Sequence, residues 1–482
     1  MKNNVKDMYN PDSLPKASGS LPYRKILMEK KMFDLLKYRA SWLVVALILI
    51  GSTFNFVHAQ TSPKPFLPKI DVAAAPSPTP LIKKTASVSP VMPDTVNPAE
   101  MAIPGYSGVL VETLDGKIVK DSYSTSAFNP ASNVKIATSY AVLKTFGPDY
   151  RFPTNVFTDG AIDQTTGTLN GNLYVSGRDP IFTFEHAVAI ADALNRAGIR
   201  TVTGDLIVTS SFIMAQSNSP LASANNLTAT LNSGRRSAAA TRAWQAYLTS
   251  SAKPQSYPSV SIGGKTYVDL VPSNAKLLFS HESAPLKEIV KVTMCYSNNF
   301  LAEKLGDMLG GAYAVSRIVQ LNAGVPPEQF ILQTSNGLGI NRVTPQAMMK
   351  LLRTFRAELA KYKMTFADVM PIAGVDPGTL QRRFNTFADS GSVVGKTGTL
   401  GQTDGGASAL SGEFQTRQGR FLFVIFNQRG TATRFRNFQN SFVTSLQNQY
   451  GGAAPLGYAS QSLGLRLANT RITYPDTRAR RN

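Results

Sequence analysis

Asn129-Pro130-Ala131-Ser132-Asn133-Val134-Lys135, continuing through Ile136 to Phe146 and ending at Gly147-Pro148, is the stretch on which the fold turns. From Val134 to Phe146 it contains neither Gly nor Pro, it has a Pro near its first turn, and it stops at Gly-Pro, which predicts a helix. Residues three apart share a helical face, so Lys135 lies over Ser132 at the helix N-terminus. The pattern Ser-x-x-Lys starts at Ser13, Ser132, Ser250 and Ser273, so by itself it decides little. Ser13 lies in the N-terminal leader, Ser250 runs into Pro254, and Ser273 follows Pro272 in a turn-like segment. Only Ser132 opens a helix.

Two further strings follow in order. Ser297-Asn298-Asn299 stands near the front of a second helical stretch, with Phe300, Leu301, Leu305, Met308 and Leu309 at helical spacing before Gly310-Gly311. Lys396-Thr397-Gly398-Thr399 continues a strand-like run from Ser392, in which Gly398 permits close backbone approach. Taken singly, Ser132 and Ser297 read as helix caps and Lys396 as a strand-edge charge. In this order and context they describe a serine site.

That site has no histidine. His58 lies in the leader, and His186 and His281 stand in no catalytic-looking string, reading instead as surface or core residues. Two His and the single Cys295, far apart in sequence, supply no zinc cluster, so neither metal nor cofactor is expected. A serine nucleophile then needs another base, and lysine serves only when neutral. Bringing a lysine from about 10.4 to about 7 requires roughly 4.6 kcal/mol of differential interaction. Burial shifts a lysine by about 3–5 units, and a second cation nearby pushes the same way. Lys135 behind Ser132 and Lys396 across the cleft provide both influences.

With these strings the chain resembles the penicillin-binding proteins and serine β-lactamases. It is most similar to their D-Ala-D-Ala carboxypeptidase/endopeptidase group of low molecular mass, which carries a large insertion between the first two motifs. Gly177-Arg178-Asp179-Pro180, Gly204-Asp205-Leu206, Leu286-Lys287-Glu288-Ile289, Ser297 to Glu303 and Lys396 to Leu400 carry this narrower match, which runs from about Gly105 to about Tyr450. Where the group has an Asp-Gly-Ser-Gly-Leu-Ser type turn, this chain reads Thr334-Ser335-Asn336-Gly337-Leu338-Gly339.

The resemblance implies a serine acyl-enzyme peptidase that cleaves D-Ala-D-Ala bonds of peptidoglycan stem peptides and binds β-lactams. It implies Ser132 as nucleophile, Lys135 as general base and Ser297 as proton relay to the leaving amine. Asn299 would hold the peptide and Lys135, Lys396 and Thr397 would receive the terminal carboxylate, and the backbone of Ser132 and Thr399, beside Gly398, would form the oxyanion hole. The competing readings are a non-catalytic peptidoglycan-binding protein, and a β-lactamase or esterase on the same fold.

The remaining sequence sets the organisation. Lys30, Lys31, Lys37 and Arg39 precede the apolar run Trp42 to Ile50, and Val57-His58-Ala59 follows, so residues 1–59 read as a signal peptide. Cleavage after Ala59 is expected, with an uncleaved N-terminal anchor as the alternative, placing the protein in the periplasm or cell envelope. Residues 60–104, with ten prolines, read as a linker. Strands flanking Asp115-Gly116 and the apolar run Phe421 to Phe426, with a final helix over 434–449, suggest an antiparallel sheet closed by both ends of the chain. The expected fold is therefore α/β (α+β), a serine β-lactamase/transpeptidase-like antiparallel sheet flanked by helices, formed by 105–150 and 282–450. Residues 151–281 read as an inserted, mainly β accessory domain, with strand pairs around Asn170-Gly171 and Gly263-Gly264, a helix near 184–197 and a Ser/Ala/Asn-rich stretch near 214–256. Residues 451–482 read as a flexible tail.

The formal charge is +20. Residues 1–59 hold nine Lys/Arg and four Asp/Glu, a net +5, leaving +15 on the remainder. No nucleic-acid module accompanies this charge, so no nucleic acid is expected, and anionic cell-wall polymers or membrane surfaces fit it better. Nothing in the sequence fixes an oligomeric state.

Overall fold

Leu422, Val424 and Phe426 pack into one core, Phe421, Phe423 and Ile425 into another, and all six are buried. A strand apolar on both faces must be covered on both. In the computed structural model, which describes residues 103–475, this strand is the centre of a five-stranded antiparallel sheet.

In chain order the first part comprises β1 (Tyr106–Thr113), β2 (Ile118–Ser122) and α1 (Val134–Phe146). The insertion follows, with β3 (Pro153–Thr158), β4 (Ala161–Asp163), β5 (Thr168–Asn170), β6 (Leu173–Gly177), α2 (Phe184–Arg196), β7 (Thr201–Val202) and β8 (Leu206–Val208). It continues through α3 (Pro220–Leu231), α4 (Ala238–Ser250), β9 (Ser261–Ile262), β10 (Thr266–Val268) and β11 (Lys276–Glu282). The chain then forms α5 (Leu286–Tyr296), α6 (Asn299–Asp307), α7 (Ala312–Ala323), β12 (Phe330–Ile331), β13 (Arg342–Val343), α8 (Pro345–Ala360) and α9 (Phe366–Val369). It ends with β14 (Val393–Leu400), β15 (Ala407–Thr416), β16 (Gly419–Gln428), α10 (Ala432–Gln449), α11 (Leu463–Leu467) and β17 (Arg471–Thr473).

The main sheet has the order β14-β15-β16-β1-β2, so the N-terminal hairpin completes a sheet begun by the C-terminal strands. Helices α1, α5 and α8 cover one face through Val134, Tyr140, Ile289, Leu352 and Phe355. Helix α10 covers the other through Phe438, Phe442 and Val443. The helix expected after Ser132 has the bounds its punctuation implies, Gly147 closing it with φ +81.

The insertion leaves and re-enters through neighbouring strands, because β3 and β11 pair antiparallel, Glu282 opposite Pro153. Its six-stranded sheet runs β10-β8-β6-β3-β11-β17, beside a four-stranded sheet β4-β5-β7-β9. The strands flanking Asn170-Gly171 and Gly263-Gly264 are present, but the two of each pair lie in different sheets and do not form hairpins. The chain bends from sheet to sheet at stacked glycines. A Cβ on Gly171 would fall 2.6 Å from the Gly160 Cα, and one on Gly204 2.6 Å from the Gly171 carbonyl oxygen.

Two expectations are corrected. The insertion is more helical than mainly β, because the Ser/Ala/Asn-rich stretch forms α3 and α4. Ser219 and Ser237 cap them by accepting from the N–H of Ala222 and Ala240, and Pro220 opens α3. Residues 451–475 are not a flexible tail. Helix α11 is fixed by Arg466, which donates to Glu288 at 2.6 Å and to the Tyr458 hydroxyl at 2.6 Å, and β17 adds to the insertion sheet beside β11. The leader and linker, residues 1–59 and most of 60–104, lie outside the described residues, as do 476–482.

Candidate active site

Ser132 is the middle residue of a single 3-10 turn, Ala131–Asn133, that runs directly into α1. Ala131 before it has φ +47, a left-handed conformation that costs a non-glycine residue about 1–3 kcal/mol. The Asn133 side chain donates to the Lys396 carbonyl at 2.8 Å, tying the nucleophile's turn to β14. Gly398 makes that approach possible, since a Cβ there would sit 2.7 Å from the Pro130 carbonyl oxygen and 3.0 Å from the Ser132 nitrogen.

Lys135 is buried. Its Nζ lies 3.0 Å from Ser132 Oγ, 2.7 Å from Asn299 Oδ1 and 2.5 Å from the Asn336 carbonyl oxygen. The last two partners only accept hydrogen bonds. A neutral amine has two hydrogens and one lone pair, so two donations to carbonyl oxygens leave the lone pair facing the Ser132 hydroxyl. Burial lowers the Lys135 pKa to about 7, against a smaller opposing pull from Glu303.

Ser297 lies between two helices and belongs to neither front. It is the left-handed C-cap of α5, φ +53 and ψ +41, while Asn298 caps α6 by accepting from the N–H of Leu301, and Asn299 is the first residue of α6. Lys396, also buried, donates to Ser297 Oγ at 2.8 Å and to the Thr397 carbonyl at 2.6 Å. Burial pushes Lys396 well below the ordinary lysine range, and the Lys135 charge adds to the effect. Two buried ammonium ions in one cleft are disfavoured, so the pair shares its protons. A bound anion beside Lys396 would keep that lysine charged and leave Lys135 neutral.

The structure thus brings Ser132, Lys135, Ser297, Asn299, Lys396, Thr397, Gly398 and Thr399 into one cleft. Three contributors carry little or no sequence signal of their own. The Asn336 carbonyl is backbone, and Gly337 next to it has φ +91 and lies against Ala131, with no room for a Cβ. Glu303 stands one turn after Asn299, and burial raises its pKa, partly offset by backbone N–H groups of Ser335 and Asn336. Asp404, φ +57, joins three segments around the nucleophile: Arg342 donates to it at 2.8 and 3.0 Å and the Asn129 side chain at 2.8 Å. Of the three, only Glu303 has a sequence signal, its i,i+4 spacing from Asn299. On the outer rim, the exposed Arg436 of α10 donates to Thr399 Oγ1 at 3.1 Å. Among the described residues no cluster of His, Cys, Asp and Glu is arranged to hold a metal ion. His186 and His281 lie buried in the insertion, and Cys295 is buried with its thiol pKa pushed up to about 12 by burial.

Known proteins resemble this chain in sequence and in fold. The model of the D-Ala-D-Ala carboxypeptidase 3 (S13) family matches residues 100–257 and 238–449. A D-alanyl-D-alanine carboxypeptidase of Actinomadura sp. strain R39 is 25% identical over 451 residues, 72% of this chain and 82% of that protein. The D-alanyl-D-alanine carboxypeptidase DacB of Haemophilus influenzae is 24% identical over 78% of this chain and 97% of its own length. Among solved structures, a predatory endopeptidase of Bdellovibrio bacteriovorus acylated by penicillin G and bound to an immunity protein superposes with a TM-score of 0.64. It is 22% identical and covers 76% of this chain and 99% of its own. Penicillin-binding protein 4 of Haemophilus influenzae superposes with a TM-score of 0.54 at 21% identity, covering 71% and 96%.

Proposed function

The chain belongs to the D-Ala-D-Ala carboxypeptidase 3 (S13) family, and on that premise we propose that Ser132 is the nucleophile of a serine peptidase and Lys135 the base that activates it. The reaction is hydrolysis of D-Ala-D-Ala bonds in peptidoglycan stem peptides through a serine acyl-enzyme, which penicillins also form. The observation that carries the assignment of residues is the 3.0 Å contact of Lys135 Nζ with Ser132 Oγ, its other two partners being carbonyl oxygens.

Lys135 takes the Ser132 proton as Oγ attacks the scissile carbonyl carbon, and the backbone N–H groups of Ser132 and Thr399 receive the developing oxyanion. Lys135 then gives that proton up to the leaving amine, with Ser297, whose hydroxyl is held by Lys396, as the relay, and is neutral again. The terminal carboxylate binds to Thr397, Thr399 and the Lys396 charge, which keeps Lys135 neutral when it is needed. Water then enters, Lys135 acts as base again, and the acyl group is released. The altered Asn336 loop leaves this machinery intact, because Lys135 contacts the Asn336 backbone and not its side chain.

The same acyl-enzyme step applies to a D-Ala cross-link, and we assign the protein both bonds. Product analysis on a defined stem pentapeptide and on a cross-linked dimer tests this. Release of D-Ala from the first and of monomers from the second is expected, and failure to cleave either bond overturns the assignment of both. Residues 1–59 are proposed to export the chain to the envelope where this substrate lies, with cleavage after Ala59, which N-terminal sequencing reads directly. The excess of Lys and Arg is proposed to hold the protein on anionic wall polymers; association with isolated wall should fall as salt rises.

A further inference from the structure

Both lysines of the cleft are shut away from solvent. Lys135 and Lys396 are each 0% exposed, and Lys396 Nζ is enclosed by Ser297 Oγ at 2.8 Å and the Thr397 carbonyl at 2.6 Å. The Lys396 charge acts on a bound anion through space, but a carboxylate arriving from solvent touches neither nitrogen. A direct ion pair at this site therefore needs a cation at the surface.

Arg436 is that cation. It stands exposed on α10 and donates to Thr399 Oγ1 at 3.1 Å, and Thr399 is itself exposed. Thr399 Oγ1 donates its one hydrogen to the Gly398 carbonyl at 2.8 Å, so the hydroxyl must turn before it can serve an anion. The guanidinium need not. That bond engages one of its five N–H donors, and no carboxylate pairs with it among the described residues. A carboxylate oxygen within hydrogen-bond distance of Thr399 Oγ1 lies at most about 6 Å from Arg436 Nη2. Rotation of a long exposed side chain closes that gap.

The elements around Arg436 supply no acid to compete. Neither β14 nor α10 contains an Asp or Glu, and Asp404 is already held by Arg342 at 2.8 and 3.0 Å. A second arginine, Arg383, is buried against α10 and donates to Gln439 Oε1 at 3.0 Å and Asn440 Oδ1 at 2.8 Å, both neutral amides. Burial lowers its pKa to about 9, and the Arg436 charge adds to the effect. Arg383 and Arg436 thus repel each other, and neither has a carboxylate partner among the described residues. Like charges gathered without counter-ions are unfavourable in the resting protein and become favourable once an anion binds.

We propose that Arg436 is a substrate-binding residue that pairs directly with the terminal carboxylate of the leaving D-Ala, and so makes the free acid a better substrate than its uncharged amide. The inference rests on the peptidase reading of the Ser132 site. A planar guanidinium meets a carboxylate through two parallel N–H bonds, which neither a hydroxyl nor an ammonium offers. The buried Lys396 then supplies long-range charge, and Arg436 supplies the contact.

The test compares a stem pentapeptide ending in D-Ala with the same peptide ending in D-alanine amide, on full-length wild type, Arg436→Met and Arg436→Lys. In the wild type kcat/KM should favour the acid. Arg436→Met should lower that acid-to-amide ratio by about tenfold, through a raised KM for the acid. Arg436→Lys keeps the charge without the fork and should restore part of the ratio. If Arg436 only braced Thr399, both peptides would lose activity alike and the ratio would not move. Wild-type turnover with an unchanged ratio in Arg436→Met, or an equal loss on both peptides, overturns this proposal alone. A wild type that releases D-Ala from neither peptide and forms no penicilloyl adduct overturns the peptidase reading and the proposal with it.

Discussion

Lys396 Nζ donates to Ser297 Oγ at 2.8 Å, joining a strand residue to a helix junction 99 positions earlier in the chain. The bond fixes the hydroxyl of Ser297, two residues before the Asn299 side chain that holds Lys135. Ser297→Ala should therefore lower penicillin acylation and D-Ala release together by about 10²-fold, the scale of losing one aligned polar group in a transition state. Lys396→Met should add a rise in KM, since it also removes the charge offered to the substrate carboxylate. Steady-state kinetics on a stem pentapeptide separate the two patterns.

The pH dependence follows from Lys135. Its pKa is lowered to about 7 by burial, and only the neutral amine takes a proton from Ser132. Acylation should therefore rise with pH on a limb centred near 7 and level off above it, where an ordinary lysine base would still be mostly protonated. Stopped-flow acylation between pH 5 and 9, bounds chosen about two units either side, reads the limb directly. A rate flat across that range would remove Lys135 as the base.

Gly337 lies where the altered turn meets the nucleophile. Its φ is +91 and a Cβ there would overlap the Ala131 carbonyl oxygen. Gly337→Ala should displace the Asn336 carbonyl from Lys135, reducing acylation more than tenfold and stability by about 1–3 kcal/mol. The neighbouring Asn336→Ala keeps the backbone contact and should retain most of the acylation rate. Comparing the two variants by penicillin labelling and thermal melting distinguishes backbone from side chain.

Lys291 and Asp376 form an ion pair at 2.6 Å with both side chains fully buried, and Lys291 also donates to the carbonyls of Ala367 and Met370. It pins the segment before β14 onto α5, the helix that ends at Ser297. Lys291→Met alone strands the Asp376 charge and should destabilise by about 3–5 kcal/mol. Lys291→Met with Asp376→Leu should recover part of that loss. Urea unfolding midpoints of the single and double variants measure the difference.

How much of this was legible in sequence depends on how local each signal is. The Ser132 helix has its stop in Gly147-Pro148, and the β1–β2 hairpin has its turn in Asp115-Gly116, so both could be read directly. Sheet membership could not. Asn170-Gly171 and Gly263-Gly264 look like hairpin turns, and only the stacking of Gly160, Gly171, Gly204 and Gly264 in space makes the chain change sheets there. β17 spans three residues and pairs across about 190 positions, a contact that no pattern within the tail announces. At the site, motif side chains were visible because their chemistry is in their identity. The Asn336 carbonyl and the Asp404 node were not, since one is backbone and the other acts through what it joins.

The central claim, that Ser132 is acylated with Lys135 as its base, is tested most directly by mass spectrometry of the penicillin-treated protein with peptide mapping. The account predicts one penicilloyl group per chain, on the peptide containing Ser132, with none on Ser132→Ala and strongly slowed formation on Lys135→Met. An adduct on another serine, or an undiminished adduct on Ser132→Ala, would contradict it.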